Sequence, residues 1–154
     1  MFRELRASEI DVRVARVTDK GVFLLLYKDA RCDMNILDET VGAFNWKRQH
    51  TRENANCIVS IWDETKEQWI SKEDTGTESN TEKEKGQASD SFKRACFNWG
   101  IGRSLYTSPT IWVGADKYNK FDKFQVTHIE YDADGICKLA IANQKLEHVY
   151  KWKK

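Results

Sequence analysis

The chain lacks an excess of charge of either sign. Its 154 residues include 25 Lys and Arg against 24 Asp and Glu, which gives a formal net charge of +1. This balance excludes a uniformly basic surface, so a nucleic-acid-binding role would require the charges to be separated along the chain. Long apolar runs are also absent. None approaches the roughly 20 residues that span a bilayer, and no signal-like apolar segment opens the chain, so we expect a cytoplasmic protein without a membrane partner.

Motifs for metal binding and catalysis are missing as well. The four cysteines show no CxxC pair or finger-like spacing, and the three histidines lie far apart in the sequence. The sequence contains no GxxxxGK(S/T) phosphate loop and no GxSxG or HExxH motif. We therefore expect reduced cysteines and no catalytic residue, metal site or cofactor. A nuclease that uses scattered carboxylates stays open as an alternative, because such a site has no motif to search for.

The charges are instead separated by segment. Residues 63–85 contain eight acids and four bases, whereas residues 86–123 contain six bases and three acids. The acidic stretch is rich in Thr, Ser and Gly and has no apolar residue after Ile70, which predicts a solvated, mobile loop. A basic surface is therefore expected in the part of the chain that follows the acidic stretch.

Alternating apolar residues and turn signals predict strands along much of the chain. The expected strands lie near residues 10–17, 22–28, 57–62, 68–71, 124–131 and 136–142. The last two flank the tetrapeptide Asp-Ala-Asp-Gly, which is a strong hairpin signal, and the basic C-terminal tail has the pattern of a further strand. The segment with Trp46, Lys47, Arg48 and Arg52 carries no strand signal and is predicted to be a basic loop.

A first helix is predicted after the N-terminal hairpin. Apolar residues repeat there at i, i+3 and i+7, at Met34, Leu37 and Val41. Asp29 or Asp33 can cap the start of this helix, and Gly42 ends it.

A second, longer helix carries the most information about function. Its apolar residues fall on one side at 100° per residue, and they are Ala88, Phe92, Ala95, Cys96 and Trp99. Thr81 and Glu84 have the spacing of a capping box at its start, and Gly100 and Gly102 suit a left-handed exit from its end. The pattern predicts an amphipathic helix from about Thr81 to the residue before Gly100.

The opposite side of this helix carries Lys93, Arg94 and Phe97. Two interpretations stay open from these residues alone. In the first, the ring packs under a second layer or a neighbouring subunit, and the two cations are ordinary solvated charges. In the second, the cations bind phosphates and the ring stacks on a base, which makes this side of the helix a nucleic-acid face.

Two stretches of the sequence resemble a known family. Residues 85–106 read KGQASDSFKRACFNWGIGRSLY, which is similar to the pattern (S/T)D(A/S)FKRAA…WGIGRYLY of the Rad52/Rad22 single-strand annealing proteins of phages and prophages, the Sak-type recombinases. Residues 30–46 read ARCDMNILDETVGAFNW, which resembles the family's AR…LDEVVGPENW helix and turn. A weaker match joins DVRV at residues 11–14 to the apolar strand that follows. Together the matches cover about two thirds of the chain, from residue 11 to residue 106.

The resemblance implies an α+β fold, in which an antiparallel β-sheet of hairpins packs on the long amphipathic helix. The implied core is ββ-α-ββ-α, and this chain adds a C-terminal β-hairpin to it. Residues 1–110 would form the annealing-protein core, and residues 111–154 would form a hairpin extension of the same domain. A chain of this length has enough apolar residues for one core, which agrees with a single domain.

The resemblance also implies a function. Proteins of this type bind single-stranded DNA and anneal complementary strands without ATP, in phage-type recombination and DNA repair inside a bacterial host. They assemble into homo-oligomeric rings or filaments, and host or phage replication or recombination proteins are further expected partners. Annealing needs no catalysis, because contacts to the phosphates hold the strand and leave the bases able to pair.

Positions that match the family's motifs give the expected DNA contacts. Lys93 and Arg94 form the KR dipeptide, and Arg31 lies in the upstream AR motif. Arg103 lies in the GIGR motif, where DNA contact and bracing of the helix exit are equally open. Arg13 matches the opening basic position, with a plain strand-surface role as the alternative.

The sequence departs from the family pattern at several points. Phe97 stands where eukaryotic relatives have another cation, and Ser104 replaces the usual Tyr, so we expect a groove that relies less on charge and count Phe97 among the candidate contacts. The function of the segment after about Ile111 stays open. The main alternative function is a non-catalytic protein-interaction module of a phage or prophage replication or recombination complex, with Phe97 and Trp46 as protein contacts.

Overall fold

The computed structural model describes residues 1–77 and 83–154 and has an α+β architecture of antiparallel strands and two α-helices. The elements in chain order are β1 (Asp11–Thr18), β2 (Gly21–Tyr27), α1 (Ala30–Val41), β3 (Trp46–Thr51), β4 (Asn56–Asp63), β5 (Gln68–Thr75), α2 (Lys83–Asn98), β6 (Ile111–Gly114), β7 (Phe124–Asp132), β8 (Gly135–Asn143) and β9 (His148–Lys153). The predicted N-cap of the second helix, Thr81, lies outside the described residues, so the capping box stays a prediction.

The chain divides into two compact units. The first, the helical unit, comprises Met1–Arg3 and Asp29–Arg103. The second, the sheet unit, comprises Glu4–Lys28 and Ser104–Lys154. The predicted boundary at residue 110 does not coincide with either limit, and the division of the chain into a core and an extension stays a prediction.

The helical unit contains both helices and a three-stranded sheet in the order β3-β4-β5. On the central strand, Cys57, Val59 and Ile61 are buried at every second position, which places their side chains on one face of the sheet. Helix α2 packs against β4 and β5, and it also contacts α1. The core of this unit therefore lies between the sheet and α2.

Helix α1 has the ends that the sequence predicts. The side chain of Asp29 accepts a hydrogen bond from the backbone N–H of Cys32, at 2.9 Å, and is the N-cap. Asp33, the other predicted cap, is buried inside the helix. Gly42 is the C-cap with a φ of 89°, which is strained for a residue that has a Cβ atom.

Three strands, not the predicted two, separate α1 from α2. The segment predicted to be a basic loop forms β3, an edge strand that pairs antiparallel with β4 from Trp46 to Thr51. An edge strand needs no continuous apolar pattern, because one long side and part of its faces are open to water. The acidic segment is also more ordered than predicted: β5 continues through Lys72, Glu73 and Asp74 to Thr75, pairing with β4 along its length.

The sheet unit is a six-stranded antiparallel sheet in the order β6-β2-β1-β7-β8-β9. The two predicted hairpins are present as β1–β2 and β7–β8, and the C-terminal tail forms β9 along β8. The prediction of one antiparallel sheet is wrong, because the strands form two sheets, and β6 was not predicted. No helix within the described residues is long and apolar enough to cross a membrane.

Candidate nucleic-acid interface

The inward side of α2 is the side that the helical periodicity predicts. Phe92, Ala95 and Cys96 are fully buried. The ring of Trp46 stacks on Phe92 with 6.1 Å between centroids, and the guanidinium carbon of Arg48 lies 4.3 Å from the centroid of Phe92. Phe92 therefore joins the helix to strand β3 through an aromatic contact and a cation–π contact.

Hydrogen bonds fix the helix along the sheet. The Ser91 hydroxyl, fully buried, donates to the carbonyl of Asn54 at 3.1 Å. The Trp99 indole N–H donates to the carbonyl of Val59 at 2.9 Å. The backbone approaches closely at Gly76, because a Cβ atom built there would lie 2.4 Å from the Ser91 nitrogen. These contacts determine the position of α2, and with it the position of every side chain on its outward side.

The end of α2 is a Schellman motif. The N–H of Gly100 bonds to the carbonyl of Phe97 at 2.9 Å, and the N–H of Ile101 bonds to the carbonyl of Cys96 at 3.0 Å. Gly100 has a φ of 95°, in the left-handed region that the motif requires. The glycine pair therefore stops the helix, as the sequence predicts.

Arg103 braces this helix end. Its Nε donates to the carbonyl of Phe97 at 3.0 Å, and its Nη2 donates to the carbonyl of Asn98 at 2.7 Å. The Lys72 ammonium also donates to the Asn98 carbonyl at 3.3 Å. Two cations therefore meet the negative end of the helix dipole. The bracing role of Arg103 is present in the structure, and its contact with DNA stays a prediction.

The outward side of α2 carries Lys93, Arg94 and Phe97, all of them partly exposed. The Nε atom of Arg94 lies 3.0 Å from Oδ2 of Asp90, one turn earlier on the helix. The same carboxylate accepts a hydrogen bond from the backbone N–H of Thr77 at 2.8 Å. Asp90 therefore orients Arg94 and connects α2 to the segment after β5.

The charge state of Asp90 follows from these contacts. Burial disfavours its charged form, but the hydrogen bonds from Thr77 and Arg94 outweigh that effect and lower the pKa of the Asp90 carboxyl. Asp90 is therefore ionised at neutral pH. The Arg94–Asp90 pair is partly exposed, so it orients the guanidinium more than it stabilises the fold.

Phe97 is half-buried rather than enclosed. We expect Phe97→Ala to weaken binding of single-stranded DNA by ~1–3 kcal/mol, the range for a ring that stacks on a base. Binding titrations with an unstructured oligonucleotide measure the loss of affinity. Thermal melting of the same preparation measures any loss of stability. A lower melting temperature with unchanged affinity would contradict the stacking role and leave the ring a packing role.

The other candidate residues lie on different elements. Arg31 is in the first turn of α1, where its side chain is 84% exposed and its Nη2 lies 3.4 Å from Oδ2 of Asp29. Such an exposed pair contributes little to stability, so a phosphate can compete for the guanidinium. Arg13 belongs to the sheet unit, where it is exposed on β1 and its guanidinium carbon lies 5.7 Å from the ring centroid of Tyr27.

Two cations beside α2 were not among the residues predicted from sequence. Arg48 on β3 lies over Phe92, and Lys72 on β5 lies 5.0 Å from the ring centroid of Trp99. The alternation of Trp46, Arg48 and His50 would have placed Arg48 on the inward face of a strand, but its segment was predicted to be a loop. Trp46 is half-buried, and its indole N–H donates to Asp38 at 2.7 Å.

Two titratable groups of the helical unit, His50 and Cys57, favour their neutral forms. Burial, followed by the charge of Arg48, lowers the pKa of His50. Burial raises the pKa of Cys57 to about 11, so its thiol is a poor nucleophile. No group of three or more His, Cys, Asp or Glu side chains is placed to hold a metal ion anywhere in residues 1–77 and 83–154.

Comparison with known proteins identifies the family. The model of the Rad52/22 family double-strand break repair proteins matches residues 6–124, about three quarters of the chain. This range includes α1, α2 and every candidate contact residue. Neither a curated protein nor a solved structure gives a significant match. The family match confirms the resemblance seen in the KR and AR motifs, and the chain belongs to the Rad52/22 family, whose members act in DNA recombination and repair.

Proposed function

We propose that this chain binds single-stranded DNA and anneals complementary strands without ATP, as a Sak-type protein of a phage or prophage. The observation that carries the proposal is the position of Lys93 and Arg94. They project from the outward side of a helix whose inward side is locked by Phe92, Ala95 and Cys96. A rigid helix that presents two adjacent cations can hold successive phosphates without reading the base sequence.

The chemistry of annealing matches such a surface. Two complementary strands repel each other through their phosphates, and Lys and Arg side chains reduce that repulsion when they replace the counterions. Contacts to the DNA backbone leave the Watson–Crick edges of the bases exposed, so that a bound strand can pair with a complementary strand. Tight contacts to base edges would compete with base pairing. Ionic contacts to the phosphates leave the base edges free, and they form and break more readily.

Other candidate residues are assigned further phosphate contacts within each unit. Arg31, with its weakly paired guanidinium, is the next cation we assign to the phosphates, and Arg103 contributes its charge at the end of α2 while bracing the helix. We include Arg13 as a contact of the sheet unit. A ring or filament of side-by-side protomers would join the α2 surfaces into one track and allow many weak contacts to act together.

The test is an annealing assay with complementary oligonucleotides, without ATP and with EDTA present. We expect pairing to be faster than the spontaneous reaction at low salt, and binding to weaken steeply as salt increases. Non-complementary strands serve as the control. Lack of acceleration at low salt would refute the proposed function and favour the protein-interaction alternative. Light scattering with and without DNA measures whether a large assembly accompanies activity.

A further inference from the structure

The sheet unit carries a basic surface that the proposed function does not use. On β8 and β9, Leu139 and Ile141 are buried on one face, and the alternate residues point to the other face. The register places Lys138 opposite Lys153 and Ala140 opposite Lys151. Lys138, Lys151 and Lys153 therefore share the solvent face of these two strands, which we call the lysine face.

The charges on the lysine face are not balanced within the sheet unit. Lys138 lies 3.5 Å from Glu130 on β7, and Glu130 also bonds His128. Within the described part of the chain, neither Lys151 nor Lys153 forms an ion pair, whereas the neighbouring Lys154 pairs with both Asp132 and Asp134. The lysine face thus has three cations and one carboxylate, and both unmatched cations are on the edge strand β9.

Cross-strand pairing of like charges is unfavourable in a sheet. Lys138 and Lys153 are directly opposite, where two cations destabilise the pairing of their strands. Lys151 adds a third cation two residues along the same face. An arrangement that costs stability in the isolated chain is relieved when an anion lies across it, because the anion removes the repulsion between the ammonium groups.

The shape of the lysine face favours an extended anion over a small one. A hollow of about 350 Å³ opens on it, lined by Lys138, Ala140, Lys151 and Lys153 with His128 and Trp152. The three lysines that line it are exposed, flexible point charges. Such a surface offers no fixed set of donors for one compact ligand, but it suits a chain of phosphates.

We propose that the lysine face is a further contact surface for the phosphate backbone of single-stranded DNA. The proposal rests on the proposed function, since the polyanion is the strand that this chain binds and anneals. It gives a role to the C-terminal segment after Ile111, for which the sequence suggests none. Lys151 and Lys153 supply two phosphate contacts there. Lys138 adds positive charge to the same face while it stays paired with Glu130.

The experiment compares Lys151→Ala/Lys153→Ala with Lys117→Ala/Lys120→Ala, a matched pair of exposed lysines of the sheet unit outside the lysine face. Fluorescence anisotropy with oligo(dT) is recorded over a range of salt. Each lost phosphate contact lowers the salt slope by about 0.7 for a single strand, so we expect a decrease of about 1.4 units for the first variant and none for the second. Equal slopes for the two variants would overturn the proposal.

Amine-reactive labelling of the wild-type protein tests the same surface without any substitution. We expect oligo(dT) to protect Lys151 and Lys153 from labelling, and Lys117 to react equally with and without DNA. If the protein binds oligo(dT) but the two lysines stay equally reactive, the proposed role of the lysine face is overturned and the proposed function is not affected. Protein that does not bind oligo(dT) would overturn both. If the two lysines are protected at high protein concentration in the absence of DNA, the proposal is overturned, and the lysine face is instead a self-association surface.

Discussion

Joint replacement of Lys93 and Arg94 by alanine is expected to produce the largest loss of DNA binding of any double substitution in the helical unit. Both side chains leave the same short stretch of α2, whose inward neighbours Phe92 and Ala95 are fully buried. We expect the salt slope of binding to decrease by roughly one to two units, and affinity to decrease for all sequences alike. Over a tenfold range of salt, a change of 1.5 units is about a 30-fold change in relative affinity.

A variant with the same loss of charge provides the control. Lys20 and Lys66 are exposed in the β1–β2 and β4–β5 turns, so Lys20→Ala/Lys66→Ala lowers the net charge by the same two units and leaves α2 unchanged. We expect this control to retain most of the salt slope. Equal effects of the two variants would show that only net charge matters. Unchanged affinity of the α2 variant would show that Lys93 and Arg94 are solvated surface charges.

Asp90 allows a more specific test of the same face. Its carboxylate holds Arg94 and the backbone of Thr77, so Asp90→Asn weakens the orientation of Arg94 and removes one negative charge near the expected phosphates. The lost charge alone predicts tighter binding, whereas the lost orientation predicts weaker binding. The sign of the change in affinity therefore measures which of the two effects is larger.

Elements with strong local signals were predictable from the sequence. Helix α1 has a carboxylate at its N-cap and a glycine at its C-cap, and both lie where the pattern places them. The hairpin of β7 and β8 follows from two apolar alternating runs around an Asp-Ala-Asp-Gly turn. In these cases the hydrogen bonds and turn conformations that set the boundaries involve residues close together in the sequence, so a local pattern is sufficient.

Elements that depend on distant partners were not predictable. Strand β3 is polar along most of its length, and it is a strand because β4 offers it a complete ladder of backbone partners. The acidic end of β5 is ordered for the same reason, and Gly76 continues it toward Ser91 on α2. Strand β6 has four residues and lies on β2, about 90 residues earlier in the chain. No short-range pattern contains these pairings.

The candidate site shows the same limit. The outward positions of Lys93 and Arg94 follow from helical periodicity, because they are fixed by the buried side of the same helix. The contacts of Arg48 with Phe92 and of Lys72 with Trp99 join separate elements, so the sequence alone does not show them. Arg103 illustrates the intermediate case: its motif placed it at the helix end, but only the structure shows its bonds to two carbonyl groups.

Phe92→Ala is expected to have the largest effect on stability. The side chain is fully buried and lies against the ring of Trp46 and the guanidinium of Arg48. Removing a buried phenyl ring costs about 3–5 kcal/mol of unfolding free energy, because the cavity it leaves closes incompletely. For a chain of this size that loss lowers the melting temperature by about 6–20 °C. Urea unfolding followed by tryptophan fluorescence measures the free energy.

Phe97→Ala is the matched control for this prediction, since it removes the same ring from the same helix at a half-exposed position. We expect Phe97→Ala to lower the free energy of unfolding much less than Phe92→Ala does. We expect it to weaken the binding of single-stranded DNA by folded protein more than Phe92→Ala does. Phe92→Ala leaves Lys93 and Arg94 on the outward side, so protein that remains folded at low temperature should still bind single-stranded DNA. Equal losses of stability in the two variants would contradict the division of α2 into a packing side and a binding side. Loss of binding in folded Phe92→Ala would instead show that the phosphate contacts need Arg48 held over the Phe92 ring.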